Sequence, residues 1–231
     1  MSEGIRIFRR IENDQRSLFP LFLWFVAILL AMAQMAGADT IANFVTAARW
    51  QVGKTVRYDG SYQALDYPNG DVPLDRGVCT DVVIRAMRSA FGFDLQKRVH
   101  KDMKGHFSIY PQQWGLAAPD SNIDHRRVPN LETFFKRQGW SLPVSESVQD
   151  YLPGDIVTCI VPPRLPHIMV VSDSKNRRGV PLIIHNIGAG VREEDRLFEF
   201  ELSGHFRINI PDQTGTAAAA SGRRHTNPAI D

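Results

Sequence analysis

Hydrophobic and polar positions divide the chain into three parts, of which the first is an uncharged apolar run. This run extends from Leu18 to Ala38, follows a polar segment with several arginines, and closes on the small residues Ala36-Gly37-Ala38. A basic flank, an apolar stretch and an A-x-A-like site are typical of a secretory signal peptide. We therefore expect residues 1–38 to be an export signal cleaved after Ala38. The run is also long enough to span a bilayer, so an uncleaved anchor with a cytoplasmic N-terminus is the alternative.

The second part, up to about residue 138, shows the periodicity of amphipathic helices. Apolar residues recur at helical spacing within four segments, and Thr40 and Asn130 stand where helix caps are expected. The pattern predicts helices over residues 40–51, 79–91, 95–103 and 130–138. Between the first two helices, a stretch rich in Tyr, Gly, Asp and Pro predicts a loop with a short extended piece.

The third part, from Leu152 onward, consists of short β-rich runs. The runs that predict strands are LPGDIVTCIV (152–161), PHIMVVSD (166–173), VPLIIHNIG (180–188), FEFEL (198–202) and HFRIN (205–209). Helices followed by an antiparallel sheet predict an α+β fold. The last 21 residues, 211–231, hold few large apolar side chains and predict a disordered tail. The folded domain is accordingly expected to span residues 39–210.

The charge balance argues against a nucleic-acid partner. The chain has 27 Lys and Arg against 25 Asp and Glu, a net charge of +2, whereas nucleic-acid binders usually carry a strongly basic face. Four arginine pairs are interpreted as solvated surface, namely Arg9-Arg10, Arg126-Arg127, Arg177-Arg178 and Arg223-Arg224. Contact with a membrane is expected only through the N-terminal segment, if that segment is not cleaved.

Cys79 is the first candidate for chemistry, because it follows a glycine-rich loop and opens a predicted helix. The positive end of the helix dipole lowers the pKa of a thiol at that position and favours the nucleophilic thiolate. The alternative is a buried structural cysteine, a common fate of free cysteines. The other cysteine, Cys159, lies within a predicted strand. It is interpreted as a buried strand thiol, with a Cys79–Cys159 disulfide as the alternative that export would allow.

Two histidines accompany this cysteine on apolar strands, while the other five lie in polar or loop-like segments. His167 and His185 fall on adjacent strands of one predicted hairpin, which can place both imidazoles close together. One ring can then act as a base for the thiol while the other orients it. A zinc site built from Cys79, Cys159, His167 and His185 is the alternative, but none of the usual paired ligand spacings occurs. We expect neither a metal nor a cofactor.

The order of these pieces resembles the NlpC-type cysteine peptidases of bacterial cell walls, which have a papain-like fold. The matching segments, spread over residues 44–205, are VRYDGSY, RGVCTDVVIRAM, YLPGDIVT, PHIMVVSD and IIHNIGAG. The chain is still more similar to a bacterial family known as a domain of unknown function within that superfamily. The segments that carry this closer resemblance are DVPLDRGVCTDVVIRA, NIDHRRVPNLETFFKR, YLPGDIV and HNIGAGVREED.

The resemblance implies a role for each matching residue. Cys79 corresponds to the nucleophile, His167 to the base that holds its thiolate as an ion pair, and His185 to the third polar group. Asn186 is a substitute candidate for that third group and a candidate for substrate binding. Tyr58 corresponds to the tyrosine that approaches the nucleophile and helps to bind the acyl group.

Two departures from the family pattern bear on the substrate. An aspartate normally stands directly before the nucleophile, but here Val78 takes that place and Asp81 comes two residues after the cysteine. Met169 replaces the glycine that normally comes two residues after the base. Arg76 and Arg192 are candidates for binding a carboxylate or phosphate, with ordinary surface positions as the alternative.

Together these features predict an exported cysteine hydrolase of the periplasm or cell envelope. The expected activity is that of an amidase or endopeptidase acting on peptidoglycan peptides. Two alternatives remain open at this point. One is a catalytically inactive binding module of the same fold, and the other is a hydrolase or acyltransferase that acts on another acylated envelope molecule.

Overall fold

The computed structural model describes residues 40–210 together with Trp24. The predicted export signal, apart from Trp24, and the predicted C-terminal tail lie outside the described residues. Within the described part, no helix combines the length and the apolarity needed to cross a membrane.

Four α-helices within residues 40–210 confirm the helical periodicity of the sequence. They are α1 (residues 40–49), α2 (Cys79–Phe91), α3 (Leu95–His106) and α4 (Val128–Arg137). The predicted cap of α4 is wrong. The N-cap is Arg127, because Pro129 fits the first turn, where its missing N–H costs nothing. Asn130 instead donates from its side chain to the carbonyl of Asp124.

The sheet is antiparallel and confirms the α+β class. The strands of the molecule are β1 (Arg57–Tyr58), β2 (Arg76–Gly77), β3 (Ser141–Leu142), β4 (Ile156–Val161), β5 (Leu165–Lys175), β6 (Pro181–Asn186), β7 (Val191–Glu194) and β8 (Glu201–Phe206). Within the sheet they lie in the order β3-β8-β4-β5-β6-β7, and the loop before α2 contributes a separate parallel pair, β1 with β2.

The last two predicted strands, FEFEL and HFRIN, are a single strand. β8 takes the end of the first run and the beginning of the second, because its partner β4 is six residues long and is paired from Ile160↔Glu201 to Ile156↔Phe206. The aromatic residues before β8 form a turn instead. β7 has no counterpart among the predicted strands, since its VREE sequence resembles a charged loop.

The sheet separates a large core from a small one. Ile168 and Val170 of β5 face α2 and belong to the large cluster that the helices cover. Met169 and Val171 alternate to the opposite face, where they join the smaller cluster around Tyr151. Burying each such side chain contributes about 1.5–3 kcal/mol. The packing therefore fixes α2, whose first residue is Cys79, against β5.

Candidate active site

Cys79 is the first residue of α2, and its side chain is almost enclosed, at 5% exposure. Burial raises the pKa of the thiol to about 11, which outweighs the opposite effect of backbone N–H groups directed at the sulfur. These groups belong to Ile168, Thr80 and Cys79 itself. The sulfur therefore lies at the helix N-terminus and beside the peptide N–H that follows His167 in β5.

His167 and His185 are joined directly, as their positions on adjacent strands predict. Nε2 of His167 lies 2.8 Å from Nδ1 of His185, and both rings are buried. Burial lowers the pKa of His167 to about 3 and also lowers that of His185. Since Nε2 of His167 is engaged with His185, Nδ1 is the ring nitrogen left to exchange a proton with a thiol.

The hydrogen-bonded chain continues to a carboxylate that the sequence reasoning missed. Nε2 of His185 lies 3.1 Å from Oε2 of Glu194 on β7. Arg192 is the residue directly opposite His185 in the β6–β7 ladder, so Glu194, two positions further, is a diagonal neighbour on the same face. Glu194 lies in the HNIGAGVREED segment that carries the family resemblance, but nothing in that segment marks it as a partner of His185.

Tyr58, the residue that the resemblance assigns to the acyl group, lies on β1 opposite Gly77, two residues before Cys79. It is half-exposed on β1, and its pKa is raised to about 12 by burial and then by the charges of Cys79 and Asp81. Arg76, the predicted anion-binding residue, lies on β2 and forms ion pairs with Asp59 at 3.6 Å and Asp75 at 3.3 Å.

Asn186 is completely buried, so its side chain is not open to a substrate. Its amide donates to the carbonyl of Gly77 at 2.9 Å, and its Oδ1 accepts from the N–H of Gly188. The hydrogen bond to Gly77 attaches the end of β6 to the loop that enters α2. In this structure Asn186 therefore positions the backbone before Cys79.

Three further residues are placed as follows. Cys159 is fully buried on β4, directly opposite His167 in the ladder, and both cysteines are free thiols. Met169 is buried in the small core. Arg192 is largely exposed, with Nη1 3.7 Å from Glu194.

Among the described residues, no group of three or more His, Cys, Asp and Glu side chains is arranged to hold a metal ion.

The first turn of α2 is anchored by an ion pair that the sequence reasoning missed. Arg126 donates to both carboxylate oxygens of Asp81, at 3.0 and 2.9 Å, and its side chain is only 2% exposed. The interpretation of Arg126 as solvated surface is therefore wrong, because its guanidinium group is buried in an ion pair with the carboxylate of Asp81. The displaced aspartate of the VCTD sequence thus has a structural partner.

A second buried arginine holds the loop before the nucleophile. Arg85 of α2 donates to both carboxylate oxygens of Asp71, to Oγ1 of Thr55 and to the carbonyls of Val72 and Arg76. A planar guanidinium group with several N–H donors suits such a cluster of acceptors. Arg85, a residue of α2, thus holds in place the loop that leads into Cys79.

A surface cavity of about 320 Å³ opens beside His185. The loop between β6 and β7 forms one side of it, and charged side chains of β7 and of the turn after it form the other. It is lined by His185, Ile187, Gly188, Ala189, Gly190, Arg192, Glu194 and Arg196. The cavity therefore lies next to the His185 end of the histidine pair, although the ring itself stays buried.

Comparisons with known proteins place this site within a matched region. A family model described as "Domain of unknown function (DUF1287)" matches residues 45–208. The chain is 55% identical over 173 residues to "Uncharacterized protein YijF" of Escherichia coli (strain K12), covering 75% of this chain and 84% of that protein. Among solved structures, it is similar to "Structure of NlpC1 from Trichomonas vaginalis" at 17% identity and a TM-score of 0.36. That likeness covers 71% of this chain but only 43% of the other.

Proposed function

The chain belongs to the DUF1287 family, and we propose that it is an exported cysteine hydrolase that cleaves amide bonds in peptidoglycan peptides. The observation that carries the proposal is the hydrogen-bonded pair of His167 and His185 on β5 and β6, together with a cysteine that begins a helix and accepts a hydrogen bond from the N–H of Ile168, the residue after His167. Nucleophile, base and orienting group are the three parts that covalent amide hydrolysis needs. The basic and apolar segment at the N-terminus supports export.

In the proposed reaction, the sulfur of Cys79 attacks the amide carbonyl while its proton passes to Nδ1 of His167. The negative charge that develops on the carbonyl oxygen is stabilised by backbone N–H groups at the start of α2. His167 then returns the proton to the departing amine, and water releases the acyl group from the sulfur. Tyr58, which lies opposite Gly77 in the β1–β2 pair, is assigned to contact the acyl part of the substrate.

The resting state of Cys79 and His167 differs from the ion pair that the resemblance implies. Burial raises the pKa of Cys79 and lowers that of His167, so both groups are neutral at pH 7. The proton therefore moves when the substrate binds and the attack begins. In this reaction His167 acts as a general base, rather than as the partner of a preformed thiolate.

The test is hydrolysis of purified peptidoglycan peptides by the full-length protein, followed by mass spectrometry. We expect new amine and carboxylate ends with the unmodified protein, no cleavage by Cys79→Ala, and retained cleavage by Cys159→Ala, which removes the other buried thiol. Undiminished cleavage by Cys79→Ala would overturn the proposal. If the protein cleaved lipid-linked amides but left the peptides intact, the proposed substrate class would change from peptidoglycan peptides to acylated lipids.

The near-complete enclosure of the neutral Cys79 thiol favours a second candidate, a binding module without catalysis. Such a module would bind the same peptides and release them unchanged. Binding of the peptides by the unmodified protein, without any cleavage, would distinguish this candidate from the enzyme.

A further inference from the structure

Glu194 has no part in the proposed reaction as described above, yet it ends the chain of hydrogen bonds that begins at the base. The links are His167 Nε2 to His185 Nδ1 at 2.8 Å and His185 Nε2 to Glu194 Oε2 at 3.1 Å. Two neutral imidazoles joined nitrogen to nitrogen share one proton, and either ring can be the donor. The pair alone therefore does not decide which nitrogen of His167 carries its proton.

The carboxylate removes this ambiguity, because an ionised carboxylate only accepts hydrogen bonds. His185 must then carry its proton on Nε2, which leaves Nδ1 as an acceptor. The proton between the rings consequently belongs to Nε2 of His167. Since burial keeps both rings neutral, Nδ1 of His167 is left with a free lone pair.

We propose that Glu194 is a positioning residue that sets the tautomers of both histidines and so presents an unprotonated Nδ1 of His167 to the Cys79 thiol. The catalytic consequence rests on the proposed function, whereas the tautomers do not. A base that carried its proton on Nδ1 could not take one from the sulfur. The carboxylate thus acts on the nucleophile through two imidazole rings.

The strand register and two arginines hold Glu194 in this position. It lies on the same face of the β6–β7 ladder as His185. Arg192 Nη1 and Arg196 Nη1 each lie 3.7 Å from one of its carboxylate oxygens, on either side of the group. Arg196 also pairs with Glu199, whose charge acts on His185 without a hydrogen bond to it. These are the charged groups that face the carboxylate and the second ring.

The same arrangement stabilises the base after proton transfer. When His167 takes the thiol proton, its positive charge is adjacent to a ring that accepts a hydrogen bond from it and donates another to a carboxylate. A carboxylate behind a catalytic imidazole orients the ring and stabilises the imidazolium in serine hydrolases. Here that influence would be transmitted through His185.

The test reads the tautomers directly, by two-bond ¹H–¹⁵N correlation NMR of the full-length protein labelled at histidine. We expect both His167 and His185 to carry their protons on Nε2. In Glu194→Met, a change of similar length without an acceptor, we expect both rings to shift toward the Nδ1-protonated form. The matched control is Glu199→Met, which removes a nearby charge and should leave both tautomers unchanged.

Activity supplies the second readout. We expect Glu194→Met to slow cleavage of peptidoglycan peptides by about 100-fold or more, the usual contribution of a correctly protonated base. Unchanged tautomers in Glu194→Met, or an Nδ1-protonated His185 in the unmodified protein, would overturn the inference. Tautomers as expected in a protein without hydrolytic activity would contradict the proposed function and still support the role of Glu194.

Discussion

Asp81 and Arg126 form a buried, bidentate ion pair two residues after the proposed nucleophile. The carboxylate of Asp81 also accepts the N–H of the N-cap residue Val78 at 2.7 Å. Arg126 belongs to a short 3₁₀ turn, and its carbonyl accepts a hydrogen bond from the side chain of Thr80. One pair of side chains therefore fixes the start of α2, and with it Cys79, to a distant part of the chain.

We expect Asp81→Ala to lower the free energy of unfolding by about 3–5 kcal/mol, because it leaves the guanidinium group of Arg126 buried and uncompensated. Urea denaturation followed by circular dichroism measures this loss. The control is Asp75→Ala, which removes the exposed partner of Arg57 and should leave the free energy of unfolding nearly unchanged. A loss for Asp81→Ala as small as that of the control would contradict the structural role of the pair.

A second expectation concerns the loop that Arg85 holds before Cys79. Arg85→Lys keeps the charge but loses the planar fork that reaches Asp71, Thr55 and the loop carbonyls together. We expect faster amide hydrogen exchange over residues 55–78 and slower peptide cleavage, while α4 keeps its protection. Arg88→Lys is the matched control, since Arg88 contacts the same loop from a more exposed position. Equal exchange in both variants would contradict the role of Arg85.

A third expectation follows from the histidines that are buried in the neutral form. Burial lowers the pKa of His167 to about 3 and that of His125 to about 4, from about 6.5 in the unfolded chain. As the pH falls below 6.5, the unfolded state binds these protons and the folded state does not. Stability is therefore complete above pH 6.5 and declines toward pH 4, by at most about 1.4 kcal/mol per pH unit for each histidine.

Urea denaturation at several pH values between 4 and 7 measures this decline. We expect His125→Asn to reduce the slope of stability against pH. An unchanged slope in His125→Asn would show that the neutral, buried state of His125 does not contribute to the loss of stability at low pH.

The sequence predicts the parts of this fold that depend on local patterns. The apolar face of α2 and the apolar runs of β4, β5 and β6 are strong periodic signals, so the position of Cys79 at a helix start follows from them. The proximity of His167 and His185 follows as well, because a polar turn joins their strands into a hairpin.

The parts that the sequence does not reveal depend on contacts between distant residues. Arg126 looks like surface until a buried Asp81 is known to face it, 45 residues away along the chain. Glu194 lies in a short strand whose charged sequence lacks an apolar pattern, and only its pairing with β6 brings it to His185. Asn186 has a polar side chain of the kind that binds substrates, but packing directs its amide toward the backbone carbonyl of Gly77.

The most direct test of the central claim, that His167 serves as the base for Cys79, is the rate of alkylation of Cys79 by iodoacetamide at pH 7. A Cys159→Ala background leaves Cys79 as the only thiol of the chain. His167→Gln keeps a polar side chain of similar size that cannot take up a proton. We expect alkylation in the background protein to be faster than in His167→Gln. Equal rates in the two proteins would contradict the claim, because the thiol would then react without help from the imidazole.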